Sequence, residues 1–254
     1  MTNKTEFNDH ELSLYSRHIL LPQVDVAGQL AFANARVLVF GLGGLGSPVA
    51  QYLASSGVGY LTLVDHDQVE VSNLQRQVIH NQKTLGMDKV ASAAQAIAAL
   101  NSQCQIHTIN HILSSEELNE AVKAADVVVD CTDNFSSRIN INRACFQQGT
   151  PLVSGAAIRL EGQVIVFDFR QPNSPCYQCL YDVSNEEALS CAQSGVLAPL
   201  VGVIGSCQAL EVLRLLAGFG QPAVGRLHIY DAMSGKWREL KLQRDPNCSN
   251  CATH

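Results

Sequence analysis

The stretch from Arg36 to Asp65, RVLVFGLGGLGSPVAQYLASSGVGYLTLVD, restricts what this chain can fold into more than any other. Arg36-Val37-Leu38-Val39-Phe40 is β-branched and apolar and ends directly in glycines, the pattern of a buried parallel strand entering a tight turn. Gly41, Gly43 and Gly46 complete G-x-G-x-x-G. The first glycine allows the turn, the second lets backbone approach a phosphate, and the third lets the next helix close on the sheet. That helix, predicted over 46–56, aims its free N–H groups and dipole at an anion lying over the loop. A second strand, predicted over 60–64, ends in Asp65, at the spacing where an acidic side chain accepts hydrogen bonds from ribose hydroxyls. The stretch predicts nucleotide binding, and on these residues alone NAD is the first candidate.

Composition narrows the class. With 254 residues, 46% of them apolar and 16% charged, the chain has ample material for a core and is long enough for one or two domains. The net charge of −6 and the lack of any Lys/Arg run argue against nucleic acid as a partner. The start, MTNKTEFNDHELSLYSRHI, has neither a basic nor an apolar leader pattern, and no window is expected to span a membrane. A cytoplasmic protein is expected. Nine cysteines are an odd number and many for that compartment, so metal binding or catalysis fits them better than a disulfide framework.

Taken in order, residues 10–32 carry helical patterning that includes Arg17, which by itself reads as a solvated side chain. After Asp65, the polar run Asp67-Gln68-Val69-Glu70-Val71-Ser72-Asn73-Leu74-Gln75-Arg76-Gln77 lies past the carboxyl end of a strand, where open α/β sheets bind ligands. Residues 84–100 predict a helix with Lys89 in its first turns, by itself a surface lysine. A third strand is predicted over 105–110 and a helix opens at Ser114 with acids in its first turn. Val127 to Cys131 is the next apolar strand, and Thr132-Asp133-Asn134 follows at its carboxyl end with Arg138 one turn on. Asp133 there fits either an N-cap or a carboxylate bridged to phosphates by Mg²⁺. From Pro151 the helices between strands disappear, which predicts an antiparallel continuation of a mostly parallel, Rossmann-like α/β sheet flanked by helices. The polar run 180–194 reads as a loop over the carboxyl edge, 199–217 as a strongly apolar helix, and 227–230 with 237–242 as a closing hairpin.

Cys176-Tyr-Gln-Cys179 and Cys248-Ser-Asn-Cys251 together offer four thiolates, a closed tetrahedral set for a structural Zn²⁺. Two redox dithiols or four ordinary cysteines are the alternatives, but neither pair opens a thioredoxin-like helix. Cys131, Cys145 and Cys207 lie in apolar segments and are expected in the core. Cys104 says little. Cys191, in a polar loop, is open between a reactive thiol and a bystander.

GLGGLG, VDHDQVEVSNLQRQ, Lys89, DCTDN with Arg138, the paired C-x-x-C motifs and the segment around Ser190-Cys191 together resemble the ThiF/MoeB family, over 12–251. These bacterial relatives of ubiquitin-activating enzymes adenylate the C-terminal glycine of a small ubiquitin-like sulfur carrier. LVSGAAIRLEGQ and GVLAPLVGVIGS are more similar to the MoeB branch, which implies a MoaD-like carrier and molybdenum cofactor biosynthesis. A ThiS-like carrier of thiamine biosynthesis is the alternative. The resemblance implies one adenylation domain over 1–254, with a nucleotide-binding half near 30–150 and a carrier-binding and zinc half near 151–254.

On the residues, the resemblance implies ATP over Gly41, Gly43, Gly44 and Gly46, with its ribose on Asp65 and Asp67 close by. Arg76 and Lys89 would stabilise the α-phosphate and the departing pyrophosphate, Asn73 and Gln77 would orient them, and Asp133, next to Asn134, would hold Mg²⁺. Arg17 would reach the active site of the other subunit, which implies a homodimer. Cys191 matches a loop cysteine that bonds covalently to the carrier in some members and is dispensable in others. An ionised carboxylate has no proton to lose, so catalysis would rest on positioning and charge neutralisation. Chains of this kind elsewhere carry a rhodanese domain; this sequence ends at His254, so a separate sulfurtransferase is the expected sulfur source. An NAD(P)-dependent oxidoreductase would use the glycine loop but leave Arg76, Lys89 and the four cysteines idle.

Overall fold

A computed structural model describes residues 3–181 and 194–252. The N-terminal segment forms α1 (Asp9–Leu14), α2 (Ser16–Ile19) and α3 (Asp25–Asn34). The single helical pattern expected over 10–32 is thus broken, at a turn on Tyr15 and again around Pro22, whose ring cannot sit in a helix interior. Five strands follow: β1 (Arg36–Phe40), β2 (Tyr60–Val64), β3 (Gln105–Ile109), β4 (Val127–Asp130) and β5 (Leu152–Ile158). They are joined by crossovers through α4 (Gly46–Ser55), α5 (Lys89–Leu100), α6 (Ser115–Lys123) and α7 (Phe135–Gln148), and all five pair in parallel. A short loop from Ile158 to Glu161 then turns the chain back into β6 (Glu161–Phe167), and the sheet goes on antiparallel. After α8 (Tyr177–Leu180) and α9 (Ala198–Ala217), β7 (Arg226–Asp231) and β8 (Lys236–Lys241) close it in the order β3-β2-β1-β4-β5-β6-β7-β8. The mixed sheet expected from the sequence is the one observed.

The alternation of strand side chains divides the core into two layers. Val37, Val39, Leu61, Leu63, Val127 and Val129 face one way, onto Val49 and Leu53 of α4, Val90 and Ile97 of α5, and Ile204 and Val212 of α9. Leu38, Phe40, Val64 and Val128 face the other way, onto Val122 of α6 and Ile141 and Cys145 of α7. Each such large side chain, fully buried, contributes about 2 kcal/mol. Because β1 neighbours both β2 and β4, crossovers leave it in opposite directions, and a crevice opens at the carboxyl ends of β1 and β4.

Three local expectations need correction. The helix predicted from Thr84 begins only at Lys89, because a 3₁₀ turn, Gln82–Thr84, and Gly86 at φ +79° intervene. α9, 20 residues long with an 18-residue window of mean hydropathy 1.6, does reach the length and apolarity of a membrane span, contrary to expectation. Its apolar face is instead packed, with Leu200, Val201, Ile204 and Val212 in the first core layer. Cys131 and Cys145 are buried as expected, but Cys207 is only half-buried.

Candidate functional site

The glycine loop turns as its sequence demands. Gly41 has φ +83°, and a Cβ there would lie 2.9 Å from the carbonyl oxygen of Cys131, so β1 can leave the sheet beside β4 only through glycine. Gly46 sits so close that a Cβ would fall 1.8 Å from the Gly41 carbonyl oxygen. Gly41, Gly43 and Gly44 line a cleft of about 510 Å³ at the carboxyl ends of β1, β2 and β4, a size suited to a small-molecule site. Asp65 also lines it, with Oδ2 accepting from the Leu42 N–H at 2.7 Å and Oδ1 from the Asp67 N–H at 2.9 Å. Each carboxylate oxygen keeps a lone pair free of these bonds.

Charge gathers on one wall. Asp67, Arg76, Gln77 and Lys89 all line the cleft. The Lys89 Nζ donates to Asp67 Oδ2 at 2.7 Å, and Lys89 is buried, so its reading as a surface lysine fails. Burial pushes the Asp67 carboxyl up, but the hydrogen bond and charge of Lys89 outweigh this and hold it below the usual range. Arg76 Nη1 donates to the Ser72 carbonyl at 3.1 Å. Gln77, 4% exposed, has an Oε1 without a hydrogen-bond partner among the described residues, an acceptor left over at the cleft wall. Asn73 does not line the cleft; its Oδ1 accepts from the Glu70 N–H at 3.0 Å, and its carbonyl accepts from the N–H groups of Arg76 and Gln77.

The opposite wall comes from the β4–α7 junction. Asp133 and Asn134 both line the cleft. The N-cap of α7 is Asn134, whose Oδ1 accepts from the Ser137 N–H at 2.9 Å, and not Asp133, which leaves that exposed carboxylate to the cleft. One exposed carboxylate lining a cleft suits Mg²⁺, which is held by one or two carboxylates together with substrate phosphates. Arg138, buried beside Asp130, donates through Nη2 to the Thr132 carbonyl and so fixes the turn that presents Asp133. His111, Ile112 and Leu113 after β3, with Asn140 and Ile141 of α7, close the far end. The sequence reading missed these five; their place at a strand's carboxyl end and in the first turns of a helix was the available signal. Arg17, exposed on α2, is not among the residues lining this chain's own cleft. Cys191 lies outside the described residues.

Packed against Phe146 of α7 and Phe169, Cys176, Cys179, Cys248 and Cys251 bring their four sulfurs within 4.8 Å of one another. Cys176 and Cys248 stand 3.6 Å apart and Cys179 and Cys251 3.4 Å apart. The hydrogen bond with Cys176 holds the Cys179 thiol below the usual thiol range, which favours the thiolate that a metal takes. Four sulfurs converging from loops far apart in sequence fit a tetrahedral zinc site with no open position.

The ThiF family model matches residues 15–250. The molybdopterin-synthase adenylyltransferases of Salmonella typhimurium strain LT2 and Escherichia coli strain K12 are 50% and 49% identical over 246 residues, 97% of this chain and 98% of theirs. The adenylyltransferase and sulfurtransferase MOCS3 of Drosophila yakuba is 41% identical over 98% of this chain, which spans 55% of it. Among solved structures, E. coli MccB with ATP superposes with a TM-score of 0.81 at 24% identity, covering 96% of this chain and 75% of MccB. PaaA gives 0.80 at 24%, over 96% of this chain and 79% of its own. These two likenesses establish the shared fold.

Proposed function

The chain belongs to the ThiF family, and on that premise we propose that it adenylates the C-terminal glycine of a ubiquitin-like, MoaD-like sulfur carrier for molybdenum cofactor biosynthesis. It is an adenylyltransferase, a nucleotidyltransferase that acts on a sulfur-carrier protein. The observation that carries the reading is the convergence of Arg76, Lys89 and Asp133, from three separate segments, on one cleft beside the glycine loop. NAD, the first candidate on the loop alone, would leave those three groups without work.

In the reaction, a carboxylate oxygen of the carrier's terminal glycine attacks the α-phosphorus of ATP. A C–O–P bond forms, the bond from the α-phosphorus to the bridging oxygen breaks, and its electron pair leaves on pyrophosphate. Negative charge grows on the α-phosphate oxygens and the leaving group, so fixed cations accelerate the step. Arg76 and Lys89 supply them, Gln77 offers its amide to orient the phosphates, and Asn73 braces the turn carrying Arg76 and Gln77. Asp65 receives the ribose. Asp133 would hold Mg²⁺, which when bound neutralises the phosphates. Arg17 serves the neighbouring subunit's cleft in a homodimer. The four cysteines would hold a structural Zn²⁺ and tie the C-terminal segment to the carrier-binding half. A sulfur nucleophile supplied by a separate sulfurtransferase then attacks the carrier's terminal carbonyl carbon, the C–O bond to the phosphate breaks and AMP leaves, and the protein works in the cytoplasm.

ATP–pyrophosphate exchange tests this. Exchange should need a carrier ending in Gly-Gly and be faster with a MoaD-like than a ThiS-like one. Preference for the ThiS-like carrier would move the protein to the thiamine branch, and retention of NAD⁺ in place of ATP would remove the adenylation reading altogether.

A further inference from the structure

The glycine loop is held from behind by a histidine that the reaction just described does not use. Leu42, between Gly41 and Gly43, is fully buried, and both of its backbone polar groups go to side chains. Its N–H donates to Asp65 Oδ2 at 2.7 Å and its carbonyl accepts from His80 Nε2 at 3.0 Å. A carbonyl has no proton to give, so Nε2 carries the hydrogen. In the neutral ring Nδ1 is then the bare nitrogen and accepts from the Ser92 hydroxyl, 2.8 Å away. His80 is 5% exposed and Ser92 is buried on α5, the helix that Lys89 opens. His80 is not among the residues lining the cleft, whereas Gly43 is.

The Leu42 carbonyl and the Gly43 N–H are opposite ends of one planar trans peptide, so they point in opposite directions. Drawing the carbonyl back onto His80 turns the Gly43 N–H forward. We propose that His80, donating through Nε2–H to the Leu42 carbonyl with its ring held at Nδ1 by Ser92, is a positioning residue that aims the Gly43 N–H at the nucleotide's phosphates. This rests on the ATP reading above. The surroundings keep the imidazole neutral: burial pushes it down, the Leu42 carbonyl pulls it up, Lys89 pushes it down and Asp65 pulls it up, with a net lowering.

Equilibrium binding of ATP and of adenosine to wild type, His80→Leu, His80→Gln and Ser92→Ala separates this role from mere filling of space. Adenosine has no phosphate, so a misaimed Gly43 N–H should not affect it. His80→Leu is expected to weaken ATP about tenfold or more while adenosine changes by less than about twofold. His80→Gln, which keeps an N–H donor, should restore most of the loss, and Ser92→Ala should weaken ATP alone by a smaller factor. Parallel loss of both ligands in His80→Leu, unchanged ATP binding, or no rescue by His80→Gln would overturn the proposal. Should His80→Leu fail to fold, Ser92→Ala decides: ATP weakened alone supports the role, and ATP unchanged sinks it. Wild type that binds adenosine but gains nothing from the phosphates would remove the ATP reading itself, a result distinct from any of these.

Discussion

Lys89 Nζ and Asp67 Oδ2 lie 2.7 Å apart in very different surroundings: the Lys89 side chain is 8% exposed and that of Asp67 56%. The lysine therefore depends on its partner for charge compensation, and the aspartate does not depend on the lysine. On the proposed reading, phosphates in the cleft take over that compensation, and the ammonium is held ready rather than locked away.

Lys89→Met should separate stability from catalysis. The orphaned Asp67 can rehydrate, so thermal unfolding should shift by only a few degrees. Losing a cation aimed at the transition-state phosphates costs about 3 kcal/mol or more, on the order of a hundredfold in rate. Carrier-dependent pyrophosphate release measures it; a fall of less than about fivefold would place Lys89 outside the reaction.

The glycines of the loop should divide into two kinds. A Cβ on Gly43 would meet only the Gln77 Nε2, at 3.7 Å, so Gly43→Ala should fold normally yet bind ATP poorly, with its methyl crowding the phosphates. A Cβ on Gly46 would collide with Gly41 backbone, and Gly46→Ala should lose about 3 kcal/mol or more of stability. Melting curves and ATP titration of both variants give the comparison, and equal stability would show that the loop relaxes where the structure leaves no room.

Arg17 is exposed and off its own cleft, while Asp133 lines it. Buried anchors nonetheless fix where the N-terminal segment lies: Asn101 Nδ2 donates to the Tyr15 hydroxyl at 2.9 Å and Gln29 Nε2 to the Ser56 carbonyl at 2.8 Å. If the proposed homodimer forms, Arg17→Ala and Asp133→Asn proteins should each be nearly inactive, whereas mixed dimers should contain one cleft with both residues intact. Recovery of pyrophosphate release after subunit exchange is the expected result. Confirmed heterodimers without recovery would return Arg17 to its own subunit or remove it from the reaction.

Metal analysis of protein purified without chelator should find one zinc per chain. Cys248→Ser should lose the metal and unfold at a lower temperature, because binding energy at such a site is folding energy. Wild type isolated free of zinc would defeat the assignment.

The lowered pKa of His80 gives a pH dependence with a definite sign. The unfolded chain takes up this proton near 6.5, and the folded chain only at lower pH. Below about 6.5 the unfolded state thus binds more protons, and stability falls as the pH drops toward the folded value; above it the contribution is complete. Melting temperatures should decline less steeply through that window in His80→Gln than in wild type. Identical slopes would mean that other groups carry the effect.

What the sequence made legible follows from the range of each interaction. β1, the glycine turn, α4 and β2 are contiguous, so one motif carried strand, loop and acid together. The cysteine pairs were legible although the sulfurs of Cys176 and Cys248 come together across 72 residues, because C-x-x-C spacing is itself a ligand geometry. Burial of Lys89 was hidden because its partner Asp67 lies 22 positions away, with nothing between them to mark the pairing. His80 had no motif around it, and its role exists only where β1's turn meets α5. The far wall, Ile112 with Asn140, is made by packing a loop against a helix, which no local pattern encodes.

The order of the strands leaves β3 and β8 as the sheet's two edges, and β8 is exposed at every residue from Lys236 to Lys241. An open edge is a template for strand addition by another copy of the chain. Lys236, Arg238, Glu239 and Lys241 stud this one with charge, so a second copy pairing there would have to strip water from those side chains before the backbones could meet. An open sheet of this length is in this way kept from growing by end-to-end stacking into insoluble polymer.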